Sequence, residues 1–111
     1  MVQRSEAFYE MQAEVFKALS HPIRLGIVKY LGAEEHAVSE IVSAMGAEQS
    51  NVSRHLSLLR QSGVLTSRKS GLRVYYRVSS PGLLSALDAM LLAISAMMRA
   101  RLDAGGAMFP K

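Results

Sequence analysis

The chain has 111 residues, half of them apolar and 20% charged, and its formal net charge is +4. This length suits one domain with a modest core, near the size at which buried area limits stability. The chain has no cysteine, which excludes disulfides, thiolate metal sites and thiol redox sensing. Residues 1–6 lack the apolar stretch of an export signal, so we expect a cytoplasmic protein. The apolar surplus favours a homodimer in which a partner covers part of it.

The first third of the chain predicts two helices. Apolar residues at helical spacing, with glutamates opposite them, indicate an amphipathic first helix over residues 6–19. Ser20 is the predicted N-cap of a second helix, because Pro22 then falls in the first turn, where a missing amide is harmless. That helix is expected to stop at Gly32, and residues 33–36 form a polar spacer.

The middle of the chain has the pattern of a helix-turn-helix. A short third helix is predicted over residues 38–45, ending at Gly46, and a longer fourth helix over residues 48–62, ending at Gly63. On a helical wheel, Val52, Leu56 and Leu59 of the fourth helix form one stripe. The opposite face is short and polar, which lets a helix backbone approach a DNA major groove.

The remaining third predicts a β-hairpin and a long last helix. Residues 64–68 and 73–78 are rich in branched and aromatic side chains, and Gly71 lies in the turn between them. The last helix begins near Pro81 and continues through Arg101, and residues 104–111 are a predicted loose tail. Its apolar run, residues 83–98, is shorter than the roughly 20 residues of a membrane span, so we expect no membrane association.

These elements predict one domain over residues 1–111 that is mainly α with a small β-hairpin. The fold is a winged helix-turn-helix with about five helices and a two-stranded wing between the fourth and fifth helices. The last helix, about residues 81–101, is apolar most of the way round, which is typical of a helix that packs against both its own domain and a second copy.

Charge is distributed unevenly along the chain. Residues 49–87 contain six basic residues and no acidic one, whereas residues 1–48 contain four basic and seven acidic residues. A local basic block attracts phosphate and favours counterion release, so double-stranded DNA is the expected partner. The predicted DNA-binding residues lie on the fourth helix and on the wing: Gln49, Ser50, Ser53, Arg54, Arg68, Lys69, Arg73 and Arg77.

Other functions are open at this level. The basic segment could be a solvated face without a partner, or the domain could be an architectural DNA binder or a protein-interaction module. An enzyme is not expected, because Ser53 and His55 diverge by about 200° on a helix, and no carboxylate is placed to orient the histidine.

Three runs of sequence resemble the ArsR/SmtB family of bacterial winged-helix repressors. They are residues 16–25 (FKALSHPIRL), residues 49–60 (QSNVSRHLSLLR), and the ending from Gly63 through Gly71 to Tyr75 and Tyr76. The resemblance covers about residues 8–100. It implies a homodimer built through the first and last helices, which binds an imperfect palindrome and leaves when an effector binds. It also assigns base contacts to the start of the fourth helix, at Gln49, Ser50, Ser53 and Arg54.

The positions that match the family's metal sites hold no metal ligands. A Cys-Val-Cys pattern of the family falls on Ala37 and Ser39 around Val38, and a second site falls on Ser80, Gly82, Ala93 and Ala96. We therefore expect no metal and no cofactor, and a signal of another kind.

Four titratable residues have undecided roles. His21 is expected to hydrogen-bond across the turn between the first two helices, and His55 to pack on the shoulder of the buried stripe. His36 lies in the polar spacer and is expected to be solvated. Asp88 either reaches solvent or pairs across the dimer. The methionines of the last helix are expected to pack in an interface rather than to bind copper.

Overall fold

The computed structural model describes residues 6–105, and its order of elements is that of a winged helix-turn-helix. This confirms the predicted fold class. Of the predicted tail, Ala104 and Gly105 form a turn, and residues 106–111 lie outside the described residues. The elements are α1 (Glu6–Leu19), α2 (Pro22–Leu31), β1 (His36–Ala37), α3 (Val38–Met45), α4 (Gln49–Gln61), β2 (Leu65–Ser70), β3 (Arg73–Val78) and α5 (Pro81–Asp103).

The sheet has a third strand that the sequence did not predict. β1 pairs antiparallel with β3, with His36 opposite Tyr76 and Ala37 opposite Tyr75, so the sheet order is β1-β3-β2. A two-residue strand is too short for alternation to be detected, which is why this segment was interpreted as a spacer. The strand attaches the start of α3 to the base of the wing.

The joint between α1 and α2 differs from the prediction in its cap. The side chain of His21, not Ser20, caps α2: its Nδ1 accepts a hydrogen bond from the backbone N–H of Ile23 at 3.1 Å. The Ser20 hydroxyl instead donates to the carbonyl of Lys17 at 2.7 Å, which closes the end of α1. His21, expected to hydrogen-bond across the turn, thus bonds within the first turn of α2 and acts as its cap.

Two glycines allow the turns that orient the helix-turn-helix and the wing. Gly46, at the end of α3, has φ +63°, and Gly71, at the wing tip, has φ +62°. This left-handed region disfavours residues with a Cβ. The chain can therefore reverse between α3 and α4 and between β2 and β3 within a few residues.

The core lies between the helix-turn-helix and the base of the wing. The predicted stripe of α4 is fully buried there, and each such aliphatic side chain contributes about 1.5–3 kcal/mol through burial. Because α4 is packed from behind, its outer face is held at a fixed angle to the wing. The buried apolar residues of the described chain are Leu19, Ile27, Val28, Leu31, Ala37, Ile41, Val52, Leu56, Leu59, Val64, Leu65, Val78 and Leu87.

The last helix is long, and most of its residues are exposed. α5 has 23 residues, which corrects the prediction that its apolar segment is too short for a membrane span: among the described residues it is the one helix long and apolar enough to cross a bilayer. Core helices of soluble proteins meet the same criterion. An apolar groove of about 460 Å³ lies between α1 and α5, and its walls include Phe16, Leu83, Met90 and Ile94.

Candidate nucleic-acid interface

The outer face of α4 presents short polar side chains and one arginine. Gln49, Ser50, Ser53 and Arg54 are all exposed. Ser50 and Arg54 lie opposite the buried stripe, whereas Gln49 and Ser53 lie on its flank at the start of the helix. The guanidinium of Arg54 donates from Nη2 to Oδ1 of Asn51 at 2.8 Å, one helical turn earlier. This contact holds the arginine along the helix, so that its remaining donors are available to a guanine edge or a phosphate.

The wing places its arginines on one face of the hairpin. Alternation along β3 puts Arg73, Tyr75 and Arg77 on the same side, and the register places Arg68 opposite Tyr75. The guanidinium carbons of Arg68 and Arg73 lie 4.7 and 5.7 Å from the centre of the Tyr75 ring, within cation–π range. Tyr76, on the other side of the strand, packs against the core, as the alternation predicts.

Arg68 and Arg77 lie in different surroundings from the cations at the tip of the wing. Arg68 forms a two-point ion pair with Glu35, with both N–H···O distances 2.8 Å. This hydrogen bond and the charges of Arg68 and Arg77 lower the pKa of the Glu35 carboxyl, and the pKa of Arg68 is raised in return. Arg77 lies about 13 Å along β3 from Arg73, near the base of the wing. Lys69 and Arg73 are the cations next to the tip.

A cleft of about 420 Å³ lies between the wing and α4, which is the second, or recognition, helix of the helix-turn-helix. It brings together Gln49 and Ser53 from the start of α4 and Arg73 from the wing, three of the predicted DNA-binding residues. The sequence did not indicate two further residues that line it: Ser39, at the start of α3, and Leu72, at the wing tip. The Ser39 hydroxyl accepts a hydrogen bond from Nη2 of Arg73 at 3.2 Å.

Behind α4, a histidine and an arginine connect the recognition helix to the joint between α1 and α2. His55 is 4% exposed, and its Nδ1 lies 3.0 Å from Nη1 of Arg24. A guanidinium has only donors, so Nδ1 must accept and the ring must be neutral, with its proton on Nε2. The His21 ring lies 4.4 Å from the His55 ring. Sequence reasoning placed His55 correctly beside the buried stripe but missed Arg24, 31 residues away.

The environment of His55 disfavours its charged form. Burial lowers the pKa of His55 below its ordinary value of 6.5, and the nearby charges of Arg24 and Arg54 lower it further. Arg24 also donates from Nε to the carbonyl of Ala18 in α1. One arginine therefore ties α4 to the end of α1, provided that His55 is neutral.

His36 and Asp88 both have partners within the chain. His36, expected to be solvated, has its Nδ1 3.1 Å from a carboxylate oxygen of Glu40, and its ring lies 4.6 Å from that of Tyr30. Asp88 pairs with Lys29 of α2 at 2.5 Å and is 58% exposed. Within residues 6–105 there is no cluster of three or more His, Asp or Glu side chains arranged to hold a metal ion.

The sequence and the fold are both similar to those of known regulators. The helix-turn-helix domain family matches residues 19–68. An HTH-type transcriptional regulator of Mycobacterium tuberculosis is 37% identical over 98 residues, which are 87% of this chain and 82% of that protein. The chain belongs to the ArsR/SmtB family of winged helix-turn-helix transcriptional regulators.

A further relative of this ArsR/SmtB chain is named as a repressor. The arsenical resistance operon repressor of Escherichia coli is 45% identical over 67 residues, which are 60% of this chain and 57% of that protein. The crystal structure of the M. tuberculosis regulator described above, Rv0081, has a TM-score of 0.78 at 32% identity, and the match covers 88% of this chain and 99% of that chain.

A second solved structure bears on assembly. The homodimeric winged helix-turn-helix DNA-binding domain Mb0332 from Mycobacterium bovis, solved by NMR, is 30% identical with a TM-score of 0.73. It covers 86% of this chain and 88% of its own. The ArsR/SmtB relatives are transcriptional regulators, a class without enzymatic activity, and this chain is accordingly a DNA-binding regulator.

Proposed function

We propose that this protein is a cytoplasmic, dimeric repressor that binds an imperfect palindromic operator sequence-specifically and leaves it in response to a signal other than a metal ion. The observation that carries the proposal is one polar and basic surface, free of acids over residues 49–87, that runs from the exposed face of α4 to the wing tip. Such a surface offers base-reading donors and acceptors next to phosphate-binding cations.

The proposed contacts divide between the two grooves. Gln49, Ser50, Ser53 and Arg54 enter the major groove, where hydroxyls, an amide and a guanidinium read base edges. At the tip of the wing, Lys69 and Arg73 contact the neighbouring backbone and minor groove. Arg68 and Arg77 add to the positive potential, but Arg68 contributes less because Glu35 neutralises it.

The proposed dimer is built through α1 and α5. The apolar groove between these helices and the exposed Phe16 and Ile94 on its walls support this assignment, because one chain leaves them facing water. The homodimeric relative from M. bovis supports the dimeric state itself. In a two-fold dimer, the two α4 helices should enter successive major grooves about 34–36 Å apart.

The proposal of a signal without metal rests on the residues at the family's metal positions. Ala37, Ser39, Gly82, Ala93 and Ala96 offer no imidazole, carboxylate or thiolate. An effector that acts elsewhere, or a partner that competes for DNA, would then control release.

Fluorescence anisotropy of the full chain on DNA from upstream of its own gene tests the proposal, with a shuffled duplex as the control at about 0.15 M salt. A preference of about a thousandfold or more is the expected result for specific repression. Equal binding to both duplexes, with no preferred sequence in a genome-wide selection, would instead favour an architectural DNA binder. No binding to either duplex or to any selected DNA would favour a protein-interaction module.

A further inference from the structure

The cleft between α4 and the wing contains two exposed residues that neither base reading nor general basicity explains. Leu72, at the wing tip, is 98% exposed, and it follows Gly71 in the turn. A leucine in this position loses contact with solvent only if another molecule covers it. Ser39 belongs to a different element, α3, yet its hydroxyl is hydrogen-bonded to Arg73 of the wing.

The position of the cleft identifies what passes over it. If α4 lies in the major groove and the wing tip reaches the adjacent minor groove, the DNA strand that separates the two grooves must cross the space between them. That space is the cleft, because Gln49 and Ser53 line one side and Leu72 and Arg73 line the other. A nucleic-acid backbone alternates an anionic phosphate with a largely apolar sugar. The cleft likewise offers a cation and a hydroxyl next to an aliphatic side chain.

We propose that this cleft seats one sugar–phosphate unit of the operator strand, with Arg73 and Ser39 binding the same phosphate and Leu72 packing on the adjoining deoxyribose. The inference rests on the proposed function. It identifies one position of the DNA backbone that determines how far the wing enters the minor groove. Arg73 supplies charge, Ser39 supplies a hydroxyl from α3, and Leu72 removes the sugar from water. The wing and the helix-turn-helix thereby contact the same nucleotide, and this shared contact fixes the position of both along the DNA.

The carboxylate of Glu40, next to Ser39, already has two hydrogen-bond partners. Glu40 of α3 accepts a hydrogen bond from the backbone N–H of Ala37 at 3.0 Å and contacts His36 at 3.1 Å. These two contacts lower the pKa of the Glu40 carboxyl, with a smaller effect from the charge of Arg73. Glu40 thus fixes the start of α3, and therefore the position of Ser39, while Arg73 extends to the Ser39 hydroxyl.

Salt dependence separates the apolar contact from the ionic ones. In anisotropy titrations on the preferred duplex, Leu72→Ala should weaken binding about fivefold to twentyfold without changing the slope of log affinity against log salt. Leu72→Met, which keeps the apolar volume, should bind nearly as well as the unmodified chain. Lys69→Ala is the matched control, since loss of a phosphate contact should reduce the slope by about 0.9.

A backbone substitution tests whether Arg73 and Ser39 share a phosphate. Neutral methylphosphonates are introduced one position at a time, and Arg73→Ala and Ser39→Ala are measured on each duplex. Both variants should lose their effect at the same single position.

Three results would overturn the inference while leaving the proposed function intact. They are unchanged affinity for Leu72→Ala, a reduced salt slope for that variant, or different phosphates for Arg73 and Ser39. Absence of specific binding by the unmodified chain would instead remove the proposed function. Because Leu72 is fully exposed, circular dichroism should show each Leu72 variant folded.

Discussion

The half of the molecule that contains α4 and the half that contains α5 differ in how much of their apolar surface is buried. Of the 13 residues of α4, four are buried in its own domain: Val52, His55, Leu56 and Leu59. Among the 23 described residues of α5, Leu87 alone is buried. The recognition helix is therefore fixed from behind before any partner arrives, whereas α5 presents apolar surface that residues 6–105 do not cover. Base contacts require α4 to be held in a fixed position. Dimer formation requires an exposed apolar surface on α5.

The largest expected effect comes from a charge placed on the uncovered half. Ile94 of α5 is 40% exposed and lines the apolar groove. Ile94→Glu should convert the proposed dimer to a monomer, because a carboxylate in an apolar interface has no partner. Losing two-point attachment should weaken operator binding by about a hundredfold or more. Analytical ultracentrifugation and anisotropy measure the two effects.

Ser85→Glu is the matched control for this comparison. At 100° per residue, Ser85 lies about 180° from Ile94 on α5, and it is exposed. The same added charge should leave the dimer and its operator affinity unchanged. If Ile94→Glu stayed dimeric at micromolar concentration, α5 would not be the interface that its exposed apolar face indicates.

A smaller effect is expected from the outer face of α4. Arg54→Ala should cost about 1–3 kcal/mol of discrimination at particular base pairs, because a bidentate arginine reads guanine. Asn51→Ala removes the 2.8 Å contact that holds Arg54 and should give a fraction of that loss. Affinities for a panel of single-base operator variants provide the measurement. A uniform loss on every sequence would reassign Arg54 to the phosphate backbone.

The fold was largely predictable because local signals determine most of it. Helical spacing placed α1, and Gly46 and Gly71 marked the turns that the structure contains. The missed strand β1 has only two residues, so its pairing partner on β3 determines it rather than its own pattern. Histidine is not among the preferred N-cap residues, which is why Ser20 was expected to cap α2.

The candidate site was predictable only in part, because its remaining features join distant segments. The exposed polar face of α4 follows from the period of one helix. Arg24 meets His55 across 31 residues, and Arg68 meets Glu35 across 33. No local pattern reveals such pairs. From charge alone, Arg68 and Lys69 are equally good candidates for binding phosphate. Leu72 was overlooked since a single apolar residue in a turn carries no signal without its exposure.

A pH series tests how α4 is held from behind. The pKa of folded His55 is lowered, so below pH 6.5 the unfolded chain binds a proton that the folded chain does not. The free energy of unfolding should therefore fall as pH falls below this value, by at most about 1.4 kcal/mol per pH unit, until the folded pKa is reached. Above pH 7.5 the contribution should be constant.

His55→Asn separates this effect from that of the other ionisable groups. An asparagine oxygen can accept from Arg24 without binding a proton in this range. Urea unfolding at fixed protein concentration and at pH 7.5, 6.5 and 5.5 should show a shallower loss for the variant than for the unmodified chain. Equal pH slopes would mean that His55 does not link the recognition helix to protonation.

The smallest expected effect concerns the ion pair between Lys29 of α2 and Asp88 of α5, which connects the two halves. Their side chains are 51% and 58% exposed, so solvent and salt screen the attraction, and such pairs contribute about 0–1 kcal/mol. Asp88→Asn should therefore lower the free energy of unfolding by less than about 1 kcal/mol and leave operator affinity unchanged. Urea unfolding and anisotropy at low and at high salt provide the check. A larger loss, or a change in operator affinity, would mean that α5 and the recognition half are coupled through this pair.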